Sequence, residues 1–472
     1  MNYTQKKSSC KSKNPSLVNK SNNAINNTSK SLNNTREITS VKESLLVNTE
    51  LCCRISSTTS KEWENALPNY VKKFVRKHTA VYCMATDGTK KNEDDVLKKF
   101  ATRLVCCNSK INDFIDNPKV KIKEVKHEKG KSRHISGTIK CSSPWICPSC
   151  SATISMTRGE QLKKVVECGR EHGRGYGMAV LTIPHQPDDA LLSSQNILMD
   201  IWRRLQTQTP FRNWKKVNKI RFSAKGYEIM ASIKRGKADW HPHFNIIFDF
   251  DTLADMTKEE KIKYELKNAK FLWKMCNAIA LKYHGIQLKE PFLEEVTKTH
   301  QGNNETFIKS HLQVKGGVSF NFDFVEEYAT KFGLVEEATA GMYKQGKGSF
   351  HPFQILDMIR KEDETMTKKE KILLIQMFRE YAKATKGKRF FVFGTKQIKY
   401  YQENYGLELE VLDDELEIQA RESKGQHFYE PENKLWELFN PNSIHQANLL
   451  NQETAQDMEN YIFQIINRRL IE

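Results

Sequence analysis

The line Trp240-His241-Pro242-His243-Phe244-Asn245-Ile246-Ile247-Phe248 constrains this chain more than any other. Its apolar, β-rich run predicts a central strand over residues 240–250. A strand alternates faces with period two, so His241 and His243 project from the same side. Two imidazoles on one face can hold a divalent ion, and buried histidines without a partner or a task would be costly. A preceding strand is expected over residues 226–233, joined by a polar turn over 234–239 centred near Gly236. Folding back there brings Glu228 opposite His243 to within about two residues and offers an oxygen as third ligand. Two nitrogens and one carboxylate leave positions open for a phosphate oxygen and water. Such a set suits Mg²⁺ or Mn²⁺ acting as a Lewis acid. The plainer alternative is two satisfied histidines near a strand end beside a surface glutamate.

The flanking sequence predicts alternating helices and strands. A helix is expected over residues 63–77, its start delayed by Pro68, and a lysine-rich hairpin over 120–141, turning at Lys129-Gly130-Lys131. Further helices are expected over 158–171, 191–206 and 256–283. A strand over 177–183 ends at Pro184, and another is expected over 318–322. Residues 324–332 read as a helix, and helices dominate the remaining sequence, interrupted by the glycine-rich stretch 345–349. The class is α+β. Four regions are expected: a disordered basic arm (1–60), a basic hairpin with a zinc-binding module (61–157), a catalytic domain (158–335) and a mostly helical C-terminal region (336–472). The arm is rich in Asn and Ser and too poor in apolar residues to offset its ordering entropy.

Residues 141–150 read Cys-Ser-Ser-Pro-Trp-Ile-Cys-Pro-Ser-Cys. Cys147-x-x-Cys150 has the spacing of a zinc knuckle, and Cys141 lies close enough to add a third thiolate. Structural zinc takes four ligands; Cys107 or Cys106 is the best candidate for the fourth, and His134 the next. A redox Cys-x-x-Cys is the weaker reading, because the pair does not sit between a strand and a helix of a βαβ unit. The chain has no run apolar enough to span a membrane and no secretory pattern at its start, so its 11 cysteines are expected in a reducing cytoplasm. A net charge of +18 points to a polyanion, with nucleic acid the simplest partner.

Phe324-Val325-Glu326-Glu327-Tyr328-Ala329-Thr330-Lys331 places Tyr328 and Lys331 on one helical face. A phenol with a pKa of about 10 is a poor nucleophile at neutral pH. It becomes effective against a phosphodiester when a metal polarises the phosphate and a cation such as Lys331 stabilises the growing phenolate. Taken alone, Tyr-x-x-Lys is common and reads as a half-buried aromatic beside a surface lysine.

In order along the chain, Cys141 to Cys150, Leu181-Thr182-Ile183-Pro184-His185, Trp240 to His243 and Tyr328 to Lys331 resemble the motifs of plasmid rolling-circle replication initiators, members of the HUH (His-hydrophobic-His) endonuclease superfamily. The resemblance covers roughly residues 100 to 400. It implies an HUH-type central antiparallel sheet flanked by helices, and a nickase acting on origin DNA that is single-stranded or supercoiled at the nick. Tyr328 would attack one strand, keep the 5′ phosphate and leave a 3′ hydroxyl for a host polymerase. His241 and His243 would ligate metal, Lys331 would assist, Glu228 would be the third ligand, and His185 matches an early family motif. Some relatives place a water-activating glutamate one turn before the tyrosine, where this chain has Phe324. Gly341 to Gly348 mimics a phosphate-binding loop but lacks its final Ser/Thr, so unwinding would fall to a host helicase. The alternatives are a single-tyrosine transposase or relaxase, a phosphodiesterase using activated water, and a non-catalytic zinc-containing DNA-binding protein.

Overall fold

The computed structural model describes residues 69–107, 121–127, 130–251, 256–300, 303–311, 316–322, 349–360, 366–409 and 426–429, all within one compact unit, Trp63–Glu472. The arm expected over 1–60 lies outside the described residues. So does the segment 323–348, with Tyr328, Lys331 and the glycine-rich loop.

Directly after Pro68 the chain enters α1 (Asn69–Ala85). Helix α2 (Asp95–Cys106) starts where the Asp94 carboxylate accepts from the backbone N–H groups of Val96 and Leu97. The lysine-rich hairpin comes next, as β1 (Lys121–His127) and β2 (Gly130–Ser136). It leads to α3 (Pro148–Glu171), β3 (Arg174–Thr182), α4 (Leu191–Thr207) and α5 (Thr209–Val217). Strands β4 (Ser223–Lys234) and β5 (Lys237–Asp251) form a long hairpin. Helix α6 (Lys258–His284) opens on a Thr257–Glu260 capping box and closes on left-handed Gly285. Beyond it lie β6 (Phe292–His300), β7 (Asn303–His311), β8 (Val318–Asn321), α7 (Pro352–Arg360), α8 (Lys368–Ala384), β9 (Phe391–Phe393), α9 (Thr395–Tyr405) and β10 (Gln426–Tyr429). No helix among the described residues is long and apolar enough to cross a membrane.

The fold is α+β. Its main sheet has five strands in the order β8-β3-β5-β4-β9, every neighbouring pair antiparallel. Strand β5 is central, which explains why its apolar run is nearly continuous. On one face Phe248 and Phe250 pack edge-on against Trp214 of α5, at 5.3 and 6.2 Å between ring centroids. On the other, Ile247 joins Leu162 and Val165 of α3, Tyr176 and Met178 of β3, Phe393 of β9 and Tyr401 of α9 in one core cluster. Each such side chain contributes about 1.5–3 kcal/mol on burial.

Four features depart from the sequence expectations. The turn between β4 and β5 is only Arg235-Gly236, both in the left-handed region (φ +52° and +71°), rather than the six residues 234–239. Both strands are therefore longer, and Asp239 belongs to β5. Helix α3 begins at Pro148, not near residue 158, because proline at its first position suits a helix start, and it runs across the expected 157/158 domain boundary. The hairpin β6–β7 is not legible in the sequence, since its strands are mostly polar and lack a clean apolar alternation. Finally, the C-terminal region contributes strands as well as helices: β9 closes one edge of the main sheet and β10 pairs with β1.

Candidate metal centres

Toward the β4–β5 turn, the face that carries Ile247 becomes polar. Period-two alternation sets Asp239, His241, His243 and Asn245 of β5 in one row. Register places Ser232 opposite Asp239, Met230 opposite His241 and Glu228 opposite His243. The hairpin argument thus locates Glu228, but the ligand atoms gather differently from the expected trio. His243 Nε2 turns to Glu228 Oε2 at 3.0 Å, and Asn245 Nδ2 donates to the same oxygen at 3.0 Å. His241 Nε2 instead faces Asp239 Oδ2 at 3.0 Å and Ser232 Oγ at 3.2 Å.

The second imidazole at Asp239 comes from His185. It lies just beyond β3, where Pro184 has ended the strand. The loop after it is tied to β5: the Asp188 N–H donates to the Ala238 carbonyl at 2.7 Å, and Lys237 Nζ pairs with the Asp188 carboxylate at 2.9 Å. His185 Nε2 then stands 3.2 Å from Asp239 Oδ1, and its ring meets that of His241 edge-on at 4.3 Å. The ligand atoms of His185, Asp239 and His241 all lie within 4.8 Å of one another. Asp239 is fully buried, the two histidines partly so. Burial works to raise the Asp239 carboxyl, but Lys234, Ser232 and the two imidazoles hold it below the usual carboxylate range.

A cation fits this group on the evidence of its own atoms. Asp239 Oδ2 accepts a hydrogen bond from Ser232 Oγ at 2.7 Å and pairs with Lys234 Nζ at 2.5 Å. Asp239 Oδ1 has His185 within ion-pair distance but no aligned hydrogen-bond donor. That is an expensive state for a buried carboxylate oxygen unless an ion or a proton meets it. Two imidazole nitrogens and one hard oxygen form a donor set suited to a divalent cation. Alongside it, Glu228 and His243 form a separate acid–base pair. Burial would raise Glu228, but the charge and hydrogen bond of His243, with Asn245 and half-buried His351, hold it at about 2.

Sequence reasoning misses both Asp239 and His351. For Asp239 the signal is present: it stands two residues before His241 and so shares its face, but the polar run of the turn extends through it. His351 comes to this part of the sheet because Phe350 pairs with Ala231 on the edge of β4 beyond the stretch paired with β9, a long-range contact that leaves no local pattern.

The second centre is made of cysteines. Cys107, Cys141, Cys147 and Cys150 bring four buried sulfurs together, with Cys107 Sγ 3.7 Å from Cys147 Sγ and 3.6 Å from Cys150 Sγ, and Cys141 Sγ 3.6 Å from Cys150 Sγ. Tetrahedral coordination with metal–sulfur bonds of about 2.3 Å requires sulfurs about 3.8 Å apart, whereas a disulfide would hold them at about 2.0 Å. Spacing alone does not choose between Cys107 and Cys106. Cys106 is the last residue of α2 and stays outside the group, while Cys107, with extended backbone (φ −65°, ψ 127°), joins it. Cys147 caps α3 and Cys150 lies in its first turn, where the helix dipole favours thiolates. Hydrogen bonds from Cys141, Cys147 and Cys150 hold the Cys107 thiol well below its usual range, and the same cluster pushes Cys141 and Cys150 up. Fully buried Lys77 donates to the Cys107 carbonyl at 2.8 Å, adding positive charge beside the sulfurs.

Trp145, inside the cysteine segment, anchors this corner to the sheet. Its Nε1 donates to the Lys388 carbonyl at 2.8 Å, and its ring packs edge-on against Tyr227 and Phe390 at 5.4 and 5.3 Å. A later tyrosine pair, Tyr400-Tyr401, offers no free nucleophile at its second member. Tyr401 Oη is buried, bonds Asp249 Oδ2 at 2.9 Å and Tyr176 Oη at 3.1 Å, and burial pushes its phenol far up.

Comparison with known protein families, with curated proteins and with solved structures yields no match to this chain.

Proposed function

We propose that this chain is a metal-dependent DNA nickase of the HUH type, a plasmid rolling-circle replication initiator in which Tyr328 is the nucleophile. The observation that carries this reading is the convergence of His185, Asp239 and His241 on one sheet face around a buried carboxylate oxygen that lacks a hydrogen bond. Two of the three belong to the motifs that prompted the resemblance. One end of the segment carrying Tyr328 adjoins the site: the described chain resumes at Ser349, and Phe350 pairs with Ala231 of β4, the neighbour of Ser232.

His185, Asp239 and His241 would hold Mg²⁺ or Mn²⁺, with His243 and Glu228 beside them. A cation held there would supply Lewis-acid polarisation of a phosphate oxygen. The Tyr328 oxygen attacks phosphorus and gives up its proton. The bond from phosphorus to the 3′ oxygen breaks, and that oxygen takes a proton. One strand end is then a 3′ hydroxyl and the other a 5′ phosphotyrosine, and in this reading Lys331 stabilises the phenolate during attack and again when tyrosine leaves. Zn²⁺ at the four cysteines serves structure. Host polymerase and helicase complete the reaction in a bacterial-type cytoplasm.

The test incubates wild type and Tyr328→Phe with supercoiled origin plasmid and Mn²⁺ or Mg²⁺. Nicks and a covalent adduct should form with wild type alone. Cleavage without an adduct would identify a phosphodiesterase that uses water, and an adduct on the Phe variant would move the nucleophile elsewhere.

A further inference from the structure

We propose that the three-stranded sheet β10-β1-β2 is a grip for the phosphate backbone of duplex DNA, built as an arm whose two roots are cysteines of the Cys107–Cys150 cluster. This deepens the reading above and rests on it, by assigning affinity for the duplex to a part of the chain remote in sequence from the histidines.

The chain leaves the cluster at Cys107 and returns to it at Cys141, and β1 and β2 occupy the excursion between them. Between residues 119 and 140 stand eight Lys or Arg against two acidic residues, Glu124 and Glu128, a surplus of six out of the chain's net +18. Strand register organises that surplus. His427 of β10, Lys123 of β1 and His134 of β2 stand in one line across the three strands. Lys126 stands directly opposite Lys131. Like charges directly opposite destabilise a sheet, whereas the neighbouring Glu124–Arg133 pair shows the favourable alternative. A ribbon that places basic residues opposite one another while drawing only one acid into register complements a polyanion. A two-stranded ribbon such as β1–β2, seven residues in each strand, fits the width of the DNA major groove between its phosphates. The strand β10 adds a second consequence: residues near 426 join the arm, so both ends of the proposed nickase contribute to one DNA-binding element.

The experiment measures binding of a short fluorescent duplex of arbitrary sequence by the full chain carrying Tyr328→Phe, so that no covalent complex forms and nicking is not scored. Lys123→Gln, Lys126→Gln and Lys131→Gln are combined in one protein. A control protein carries Lys163→Gln, Lys274→Gln and Lys369→Gln, three exposed positions on helices. Each lost phosphate contact reduces the slope of log affinity against log salt by about 0.9. The arm variant should therefore lose about two to three units of slope and about tenfold or more of affinity at physiological salt, with zinc content and melting temperature unchanged. The control should retain the parental slope. Equal losses in both proteins, or an unchanged slope in the arm variant, overturn the arm. A parental protein with a flat salt response would instead sink the DNA reading as a whole.

Discussion

His185 Nε2 stands 3.2 Å from Asp239 Oδ1, although one residue lies past the end of β3 and the other opens β5. That pairing, with His241 on the second carboxylate oxygen, makes Asp239 the hub of the candidate metal centre. Replacing it with Asn keeps the shape and removes the charge. Asp239→Asn should weaken Mn²⁺ binding at least about tenfold by titration calorimetry and reduce nicking accordingly. Glu228→Gln, which touches His243 rather than the trio, should affect Mn²⁺ affinity less. The reverse order would return Glu228 to the ligand set.

The cysteine cluster separates two adjacent thiols. Cys107→Ser should release one equivalent of zinc and cost several kcal/mol, because an incomplete tetrahedral site leaves buried thiolates uncompensated. Cys106→Ser, one residue earlier on α2 and outside the cysteine group, should leave metal content within experimental error. Elemental analysis and denaturant unfolding of the two proteins check the pair.

Half-buried His351 sets a pH dependence. Burial lowers its pKa from 6.5 to about 4, against the pull of Glu228. A depressed folded-state pKa means the unfolded chain binds the proton first, so this contribution is fully present above about 6.5 and is lost as pH falls toward 4. Glu228, held at about 2, adds a second loss between its ordinary 4.5 and 2. The melting temperature should therefore drop between pH 7 and 4, and His351→Gln should flatten the upper part of that drop, a difference on the order of 1–3 kcal/mol. Parallel melting curves for the two proteins across that window would refute the assignment.

Tyr401→Phe distinguishes a structural phenol from a reactive one. Asp249 would keep Arg174 Nε at 3.0 Å and two backbone N–H donors, from Arg221 and Phe222, but lose the Tyr401 hydroxyl. The expected cost is about 1–3 kcal/mol of stability. Nicking per folded molecule should stay at the wild-type rate, whereas Tyr328→Phe should abolish it.

How much of the fold and site is legible in the sequence depends on the range of the signals involved. The hairpin of β4 and β5 is legible because apolar alternation and a glycine near its centre are local, and this locates Glu228 opposite His243 in the register. The cysteines are legible because thiols in Cys-x-x-Cys spacing have few other uses. Asp239 is obscured by a two-residue turn built on Arg235 rather than on the usual Asn or Asp, which makes the loop look longer than it is. His185 needs the tie between Asp188 and Ala238 before it has a partner. His351 and β9 arrive from the far end of the chain, and contacts of that separation imprint no period on the residues that make them.

Helix α3 carries thiol ligands at its first turn and, farther along the same rod, Leu162 and Val165 in the main core. A newly made chain therefore cannot finish packing that face of its sheet independently of filling its sulfur cluster. Expression under zinc starvation should yield protein that is degraded or insoluble, so the supply of an ion held only by the sulfurs would set how many folded molecules a cell holds.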